Sequence, residues 1–101
     1  LLLATWDHGV IRINVEDPNN PVLVQNYPHL AGCTDLFIEY PFLFVTREET
    51  LSIVNVTDIN ELPILAEVPD MLFPTALFAD NGLIYVAEEY SIAIVQLTQP
   101  D

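Results

Sequence analysis

Basic side chains are scarce in this sequence. It contains two arginines and no lysine against 15 aspartates and glutamates, which gives a net charge of −13 over 101 residues. Proteins bind phosphate backbones and anionic membrane surfaces through clustered lysine and arginine side chains. The composition therefore excludes unaided binding to nucleic acid and argues against adsorption to a membrane.

Cysteine and long apolar runs are scarce as well. A single cysteine excludes an intrachain disulfide and any zinc site built from cysteines. No apolar run approaches the roughly 18 residues of a membrane-spanning helix, so no membrane insertion is expected. Apolar residues nevertheless make up 51% of the chain, which is too many for a disordered acidic tail. The length allows one domain at most.

The sequence repeats itself with a period of 41 residues. Residues 10–17 (VIRINVED) match residues 51–58 (LSIVNVTD) and residues 92–99 (IAIVQLTQ) at this offset. A fixed period of this length is typical of stacked repeat architectures. A second block repeats at the same offset, with residues 34–37 matching 75–78 and residues 42–46 matching 83–87.

Each repeat consists of short apolar runs, which predict β-strands. The runs are rich in Val, Ile, Phe and Tyr and are bounded by turn-forming segments such as residues 17–21 (DPNNP) and 80–82 (DNG). No stretch shows a long period of 3.6 residues, so helices are not expected. In the complete middle unit the predicted strands cover residues 34–39, 41–47, 50–56 and 63–68.

Several of these runs are apolar at consecutive positions, as in residues 42–45 and 92–95. A strand of this kind is buried on both faces of its sheet. Four-stranded antiparallel units of about 40–45 residues, buried on both faces, are the blades of a β-propeller. We therefore expect an all-β fold made of propeller blades, forming an incomplete propeller segment. A β-solenoid is the alternative, although its coils are usually shorter.

Residues 9–24 (GVIRINVEDPNNPVLV) resemble the repeat of the LVIVD family, and residues 83–88 (LIYVAE) are similar to another strand of that repeat. The chain holds about two and a half such units. It departs from the family pattern where the third strand carries Asn14, Asn55 and Gln96 in place of aspartate. The resemblance implies a propeller on secreted or surface-attached microbial proteins, without shared catalytic chemistry and therefore without an active site to carry over.

The chain is out of phase with its repeat. Residues 1–28 are expected to form strands two to four of a blade, residues 29–69 a complete blade, and residues 70–101 strands one to three, all within one propeller domain. The chain is then a segment of a longer polypeptide or one protomer of an assembly. The expected partners are the remaining blades of the same polypeptide or other copies of the chain.

An isolated segment of this kind is expected to leave apolar faces uncovered, because propeller blades stabilise one another by stacking. We expect one such face around Leu2 and Val10, and the other around Leu83 and Ile92.

Acidic residues recur in the turns between the second and third strands of each unit. In a propeller these turns share one rim with the linkers between blades, and a divalent cation would relieve the repulsion between them. A solvated acidic rim is the favoured interpretation, because no run resembles a calcium loop. No cofactor is therefore expected, and Ca²⁺ is the alternative, with candidate ligands Asp7, Glu48, Glu49, Glu88 and Glu89.

Aromatic residues at or beside turns are candidates for a binding rim. Trp6, Tyr40 and Tyr90 lie in or next to turns, and His29 lies in a linker between blades. Exposed rings at such positions form sugar-binding or protein-binding faces. Ordinary packing between blades is the alternative.

The recurring amides and the single cysteine have structural and functional interpretations. Asn14, Asn55 and Gln96 predict a repeated amide–backbone hydrogen bond that fixes the register of each blade, or else a polar ladder along a ligand channel. Residues 55–57 also match the glycosylation sequon, although within a strand. Cys33 is expected to be a small buried residue, and a thiol nucleophile is the alternative.

The most probable function from these features is a non-catalytic scaffold, in which rigid blades hold rim turns that make protein or glycan contacts on a secreted or cell-surface protein. The chain is not expected to be an enzyme. One alternative is a self-assembling subunit of an extracellular polymer, built through uncovered sheets and edges. The other is a metal-assisted hydrolase of the propeller-lactonase type, which would use the acidic rim.

Overall fold

A computed structural model of the chain describes residues 1–97, and it is an all-β structure. Among these residues there is no helix long and apolar enough to cross a membrane. One short 3-10 helix, Pro28–Leu30, joins the first sheet to the second. The ten strands are β1 Leu2–Thr5, β2 Gly9–Asn14, β3 Val22–Tyr27, β4 Cys33–Glu39, β5 Phe42–Arg47, β6 Thr50–Asn55, β7 Ile64–Val68, β8 Ala76–Asp80, β9 Leu83–Ala87 and β10 Ile92–Gln96.

The strands form three antiparallel sheets in which neighbours in sequence are neighbours in space. The first sheet is β1-β2-β3, the middle sheet is β4-β5-β6-β7 and the third sheet contains β8, β9 and β10 in that spatial order. The four strands predicted for the middle unit are confirmed to within one residue at each end. Residues 98 and 99, which close the third copy of the sequence repeat, lie outside the described residues.

The hairpin turns follow from local chemistry. Asn81 and Gly82 join β8 to β9 and both have positive φ, at 50° and 79°. Two successive positive φ angles define the turn type whose twist matches a two-residue hairpin, and Asn-Gly is the sequence that adopts it most readily.

The middle sheet is buried on both faces. On one face Leu43, Val45 and Val54 pack in a cluster with Val10 of the first sheet. On the other face a second cluster joins the middle sheet to the third. Its buried members are Phe44, Leu51, Ile53, Met71, Leu77, Ala79, Ile84 and Val86. The expectation that residues 42–45 are covered on both sides is therefore confirmed for Leu43, Phe44 and Val45.

The expectation that residues 92–95 are also buried on both faces is wrong. Along β10 burial alternates, and Ile92 and Ile94 are 69% and 63% exposed while Ala93 and Val95 pack inward. Successive side chains of a strand point to opposite faces. The third sheet is covered by the middle sheet on one face, and its other face, which we call the outer face, is exposed.

The uncovered face that was expected around Leu2 and Val10 is not observed. Val10 is fully buried, because it faces the middle sheet, and Leu2 packs partly buried beside it. The exposed face of the first sheet instead carries Leu3 and Leu23. At the other end the expectation is confirmed for Ile92, whereas Leu83 is only half-exposed.

A one-residue shift in register explains why Leu2 lies on the same inward face as Val10. In the first sheet Thr5 pairs with Gly9, whereas in the middle sheet the equivalent Thr46 pairs with Leu51, which is one residue further along the repeat. A shift of one residue turns a strand's side chains to the opposite face. Leu2 therefore points toward the middle sheet.

Gly9 makes this register possible. Its φ is +75°, and a Cβ at this position would overlap the carbonyl oxygen of Tyr27. The strand is also irregular here, because Gly9 and Val10 both pair with Tyr27 in a bulge. A left-handed residue beside a close backbone approach is a position that only glycine fills without strain.

Stability should depend on the core between the middle and third sheets. Ile84→Ala removes a fully buried side chain and should lower the free energy of unfolding by about 2–5 kcal/mol. Ile94→Ala is the matched control, because this isoleucine is on the neighbouring strand but exposed, and its effect should stay below about 1 kcal/mol. Urea denaturation of both variants measures the difference. If both variants lost the same free energy of unfolding, the prediction would be contradicted, because the two faces of the third sheet would then be equally buried in solution.

Candidate functional site

Backbone hydrogen bonds join the turns and linkers at one end of the sheets into a continuous rim. The Gly32 N–H donates to the carbonyl oxygen of Trp6 at 2.8 Å, and the Glu48 N–H donates to the carbonyl oxygen of Gly32 at 3.2 Å. Trp6 is in the β1–β2 turn, Gly32 precedes β4, and Glu48 is in the β5–β6 turn. The linker before the middle sheet thus connects two successive turns.

The pattern continues toward the third sheet. The Met71 N–H donates to the carbonyl oxygen of Glu49 at 2.8 Å, and the Glu89 N–H donates to that of Leu72 at 3.0 Å. Met71 is buried in the core, so it anchors the linker of residues 69–75 beneath the rim. We define the rim as the turns at residues 6–8, 48–49 and 88–91 together with the linkers at residues 28–32 and 69–75.

A cleft of about 440 Å³ opens on this rim between the first, middle and third sheets. Trp6 and Phe73 line it and are 62% and 59% exposed. Two carboxylates also line the cleft, those of Glu48 and Glu49 in the β5–β6 turn. The lining residues are Trp6, Thr34, Glu48, Glu49, Thr50, Phe73, Pro74 and Thr75.

Gly32 determines how the Glu48 side chain lies beside the cleft. A Cβ at position 32 would come within 2.7 Å of Glu48 Cγ, and Gly32 has a φ of +81°. Glu48 itself has a φ of 52°, which turns the chain sharply at this point. The absence of a side chain at Gly32 leaves the space in which the Glu48 side chain packs.

The acidic residues predicted for the rim have different roles. The Glu88 carboxylate accepts a hydrogen bond from the Leu72 N–H at 2.6 Å, so it ties the β9–β10 turn to the linker. Glu48 and Glu49 line the cleft, whereas Asp7 and Glu89 are exposed outside it. Within residues 1–97 no three His, Cys, Asp or Glu side chains are grouped to hold a metal ion. The alternative of calcium binding stays untested.

The four residues predicted for a binding rim do not share one surface. Tyr40 precedes β5 and Glu48 follows it, so they lie at opposite ends of a six-residue strand, roughly 20 Å apart. His29 lies in the rim linker at residues 28–32 but outside the cleft, and its Nε2 bonds to the Leu62 carbonyl oxygen at 2.9 Å, in the β6–β7 loop. Tyr90 is 83% exposed in the β9–β10 turn of the rim. Of the four, Trp6 lines the cleft.

Phe73 is a lining residue that the sequence analysis missed. At the 41-residue offset it is equivalent to Gly32, and both residues have positive φ, at 48° and 81°. Left-handed conformations are strained for a bulky side chain. An aromatic residue that replaces glycine at a repeat position was the signal that would have identified it.

Two polar residues of β4 connect the middle sheet to the third and were also missed. The Asp35 carboxylate accepts hydrogen bonds from the N–H groups of Leu36 and Leu77, both at 2.9 Å. The Thr34 hydroxyl donates to the Pro74 carbonyl oxygen at 2.8 Å. These bonds fix the start of β8 against β4, next to the cleft wall formed by Thr34 and Pro74.

The recurring amides of Asn14 and Asn55 form the predicted hydrogen bond to the backbone, but this bond does not fix the register of the strands. Asn14 Oδ1 accepts from the Glu16 N–H at 2.9 Å, and Asn55 Oδ1 accepts from the Thr57 N–H at 3.0 Å. The bond closes a turn at the end of β2 and of β6. It does not join strands, and Asn14 is exposed, so the polar ladder is wrong for these two residues. For Gln96 the equivalent donor, Thr98, lies outside the described residues.

Cys33 is buried at the start of β4. Burial, reinforced by the negative charge of Asp35, raises the pKa of its thiol to about 11. The thiol is therefore protonated at neutral pH, whereas a nucleophile must be a thiolate. The structure supports the interpretation of Cys33 as a small buried residue.

Comparisons of the chain with protein-family models, with curated proteins and with solved structures returned no match. A function must therefore be inferred from the rim and the cleft themselves.

The Glu88 carboxylate should hold the linker in place. Glu88→Ala removes the acceptor of the Leu72 N–H, so the free energy of unfolding should fall by about 1 kcal/mol and the Leu72 amide should exchange with deuterium faster. Glu89→Ala removes the adjacent exposed carboxylate and should leave both unchanged. Amide exchange followed by NMR, with thermal unfolding, makes the comparison. Equal protection of Leu72 in the two variants would contradict this role for Glu88.

The Cys33 thiol should react slowly in the folded chain. At pH 8 its pKa of about 11, against an ordinary value of 9, should slow alkylation by iodoacetamide at least roughly a hundredfold relative to the unfolded chain. The native state retains this proton longer than the unfolded state, so its stabilising contribution should disappear as the pH rises from 9 to 11. Cys33→Ala should remove that part of the pH dependence. A thiol that reacts equally fast in both states would contradict the burial.

Proposed function

We propose that the chain is a segment of a β-propeller of the LVIVD-repeat kind, and that it serves as a non-catalytic binding scaffold on a secreted or cell-surface protein. Its rim cleft makes the contacts to a protein or glycan ligand. The observation that carries this proposal is the cleft itself, which is lined by two exposed aromatic side chains, Trp6 and Phe73, at the rim of the three stacked sheets.

Three features support the propeller. The three sheets are meanders that repeat with the sequence, and they stack through their apolar faces. The first strand of the middle unit, β4, packs against β8, which is the first strand of the next unit, through the bond from Leu77 to Asp35. Neighbouring first strands are what a radial arrangement of blades requires.

The exposed outer face of the third sheet supports the presence of further blades. Phe78, Ile92 and Ile94 are exposed on it. Their equivalents one repeat earlier lie on the face of the middle sheet that the third sheet covers. Another sheet of the same repeat would therefore find the same kind of apolar surface there. The equivalent residues of the middle sheet are Phe37, Leu51 and Ile53.

A binding role for the cleft follows from the energetics of exposed aromatic rings. Tryptophan and tyrosine contribute a large share of the free energy at protein interfaces, because a rigid ring buries much apolar area at a low entropic cost. Exposing Trp6 and Phe73 to water is unfavourable in the free chain. Covering them with a ligand recovers that free energy without deforming the sheets beneath.

The proposal predicts that ligand binding depends on Trp6. We would probe peptide and glycan arrays with the full labelled chain and with Trp6→Ala, and we expect the bound features to lose at least about tenfold in signal, as for an interface hot spot. Tyr90→Ala is the matched control, because it removes an exposed aromatic ring from the same rim outside the cleft. Ligands that respond equally to both variants, or arrays without any specific ligand, would contradict the proposal.

A further inference from the structure

We infer that the cleft recognises a cationic side chain, an arginine or a lysine presented by a peptide segment of a partner protein. This inference deepens the proposed binding function and rests on it. It comes from the combination of aromatic walls with carboxylates that have no positive partner in the described chain.

The carboxylates of the cleft are electrostatically unsatisfied. Among residues 1–97 the one ion pair joins Arg47 to Glu67, with 3.8 Å between Nη1 and Oε2. The other arginine, Arg12, lies in β2 of the first sheet, opposite Leu2. Glu48 and Glu49 therefore face the cleft without a cation of their own. With a net charge of −13 the whole chain adds to a negative potential there.

The aromatic residues add a second interaction that favours a cation. A guanidinium or ammonium group close to the face of an indole or phenyl ring is attracted by the ring's electron density, and the attraction strengthens when water is excluded. Trp6 and Phe73 belong to different segments, the β1–β2 turn and the linker before β8. Both rings line the same cleft as Glu48 and Glu49, so a cationic side chain bound there has aromatic and acidic groups around it.

The remaining lining groups are compatible with a cationic ligand. The Thr34 hydroxyl already donates to the Pro74 carbonyl oxygen. Thr50 and Thr75 offer hydroxyl groups, which accept as readily as they donate. No lining side chain carries a positive charge, so an anionic ligand would be repelled. A cleft of about 440 Å³ lies within the range of small-ligand sites, so it has room for an arginine or lysine side chain.

Calorimetric titration with matched peptides tests the inference. The probe is acetyl-Gly-Gly-Arg-Gly-Gly-amide, and its control has citrulline, the neutral isostere, in place of arginine. We expect the arginine peptide to bind the full chain and the citrulline peptide to bind at least about tenfold more weakly. Raising the salt concentration from roughly 50 mM to roughly 500 mM should weaken binding of the arginine peptide and leave binding of the citrulline peptide unchanged.

Two sets of variants assign the effect to the cleft. Glu48→Gln with Glu49→Gln should reduce binding of the arginine peptide at least about tenfold, and so should Trp6→Ala. Asp80→Asn with Glu89→Gln is the control, because it removes the same net charge from exposed positions outside the cleft. Thermal unfolding checks that each variant is folded, and the citrulline comparison on the unaltered chain does not depend on any variant.

The outcomes separate the two proposals. Equal binding of the arginine and citrulline peptides, or equal losses in the two double variants, would overturn the inference. Binding of a neutral oligosaccharide that Trp6→Ala abolishes, without any response to the arginine peptide, would leave the binding rim in place and show that its ligand is a glycan. The absence of any ligand that depends on Trp6 would overturn the proposed function itself.

Discussion

The structure depends on one constraint, which is that the middle sheet is apolar on both of its faces. Leu43, Val45 and Val54 must be covered on one side, and Phe44 and Ile53 on the other. Each such side chain contributes about 1.5–3 kcal/mol when it is removed from water. A single sheet cannot supply that cover, so the first and third sheets must pack against the middle one, and a stack of three is the smallest unit that satisfies it.

The rim is a consequence of this stacking. Because the repeat places equivalent turns at the same end of each sheet, those turns approach the linkers that join one sheet to the next. Backbone hydrogen bonds from Gly32, Glu48 and Met71 then connect them. The cleft lies where Trp6 and Phe73 project from two such segments. Any ligand contact at this place is therefore made by turns and linkers that are hydrogen-bonded to one another and anchored to the core through Met71.

Equivalent positions in the repeat have taken on different roles. Glu89 is equivalent to Glu48, yet Glu48 lines the cleft while Glu89 is exposed outside it. The position of Gly32, where positive φ favours glycine, is occupied by Phe73 in the next repeat, and the Phe73 ring lines the cleft. Asp35 has become Ala76, so the carboxylate that ties two first strands together occurs once in the described repeats.

The sequence by itself determined the all-β class, the four strands of the middle unit and the Asn81-Gly82 turn. Period, β-branched composition and turn residues are local properties that the chain carries without its neighbours. The register of the first sheet and the burial of Val10 were decided by the tertiary structure alone. A strand's register, and hence which face it buries, is settled by competition among contacts that come from distant segments. The grouping of Trp6, Glu49 and Phe73 in one cleft also depends on contacts between distant segments, because no spacing along the chain specifies how three sheets pack together.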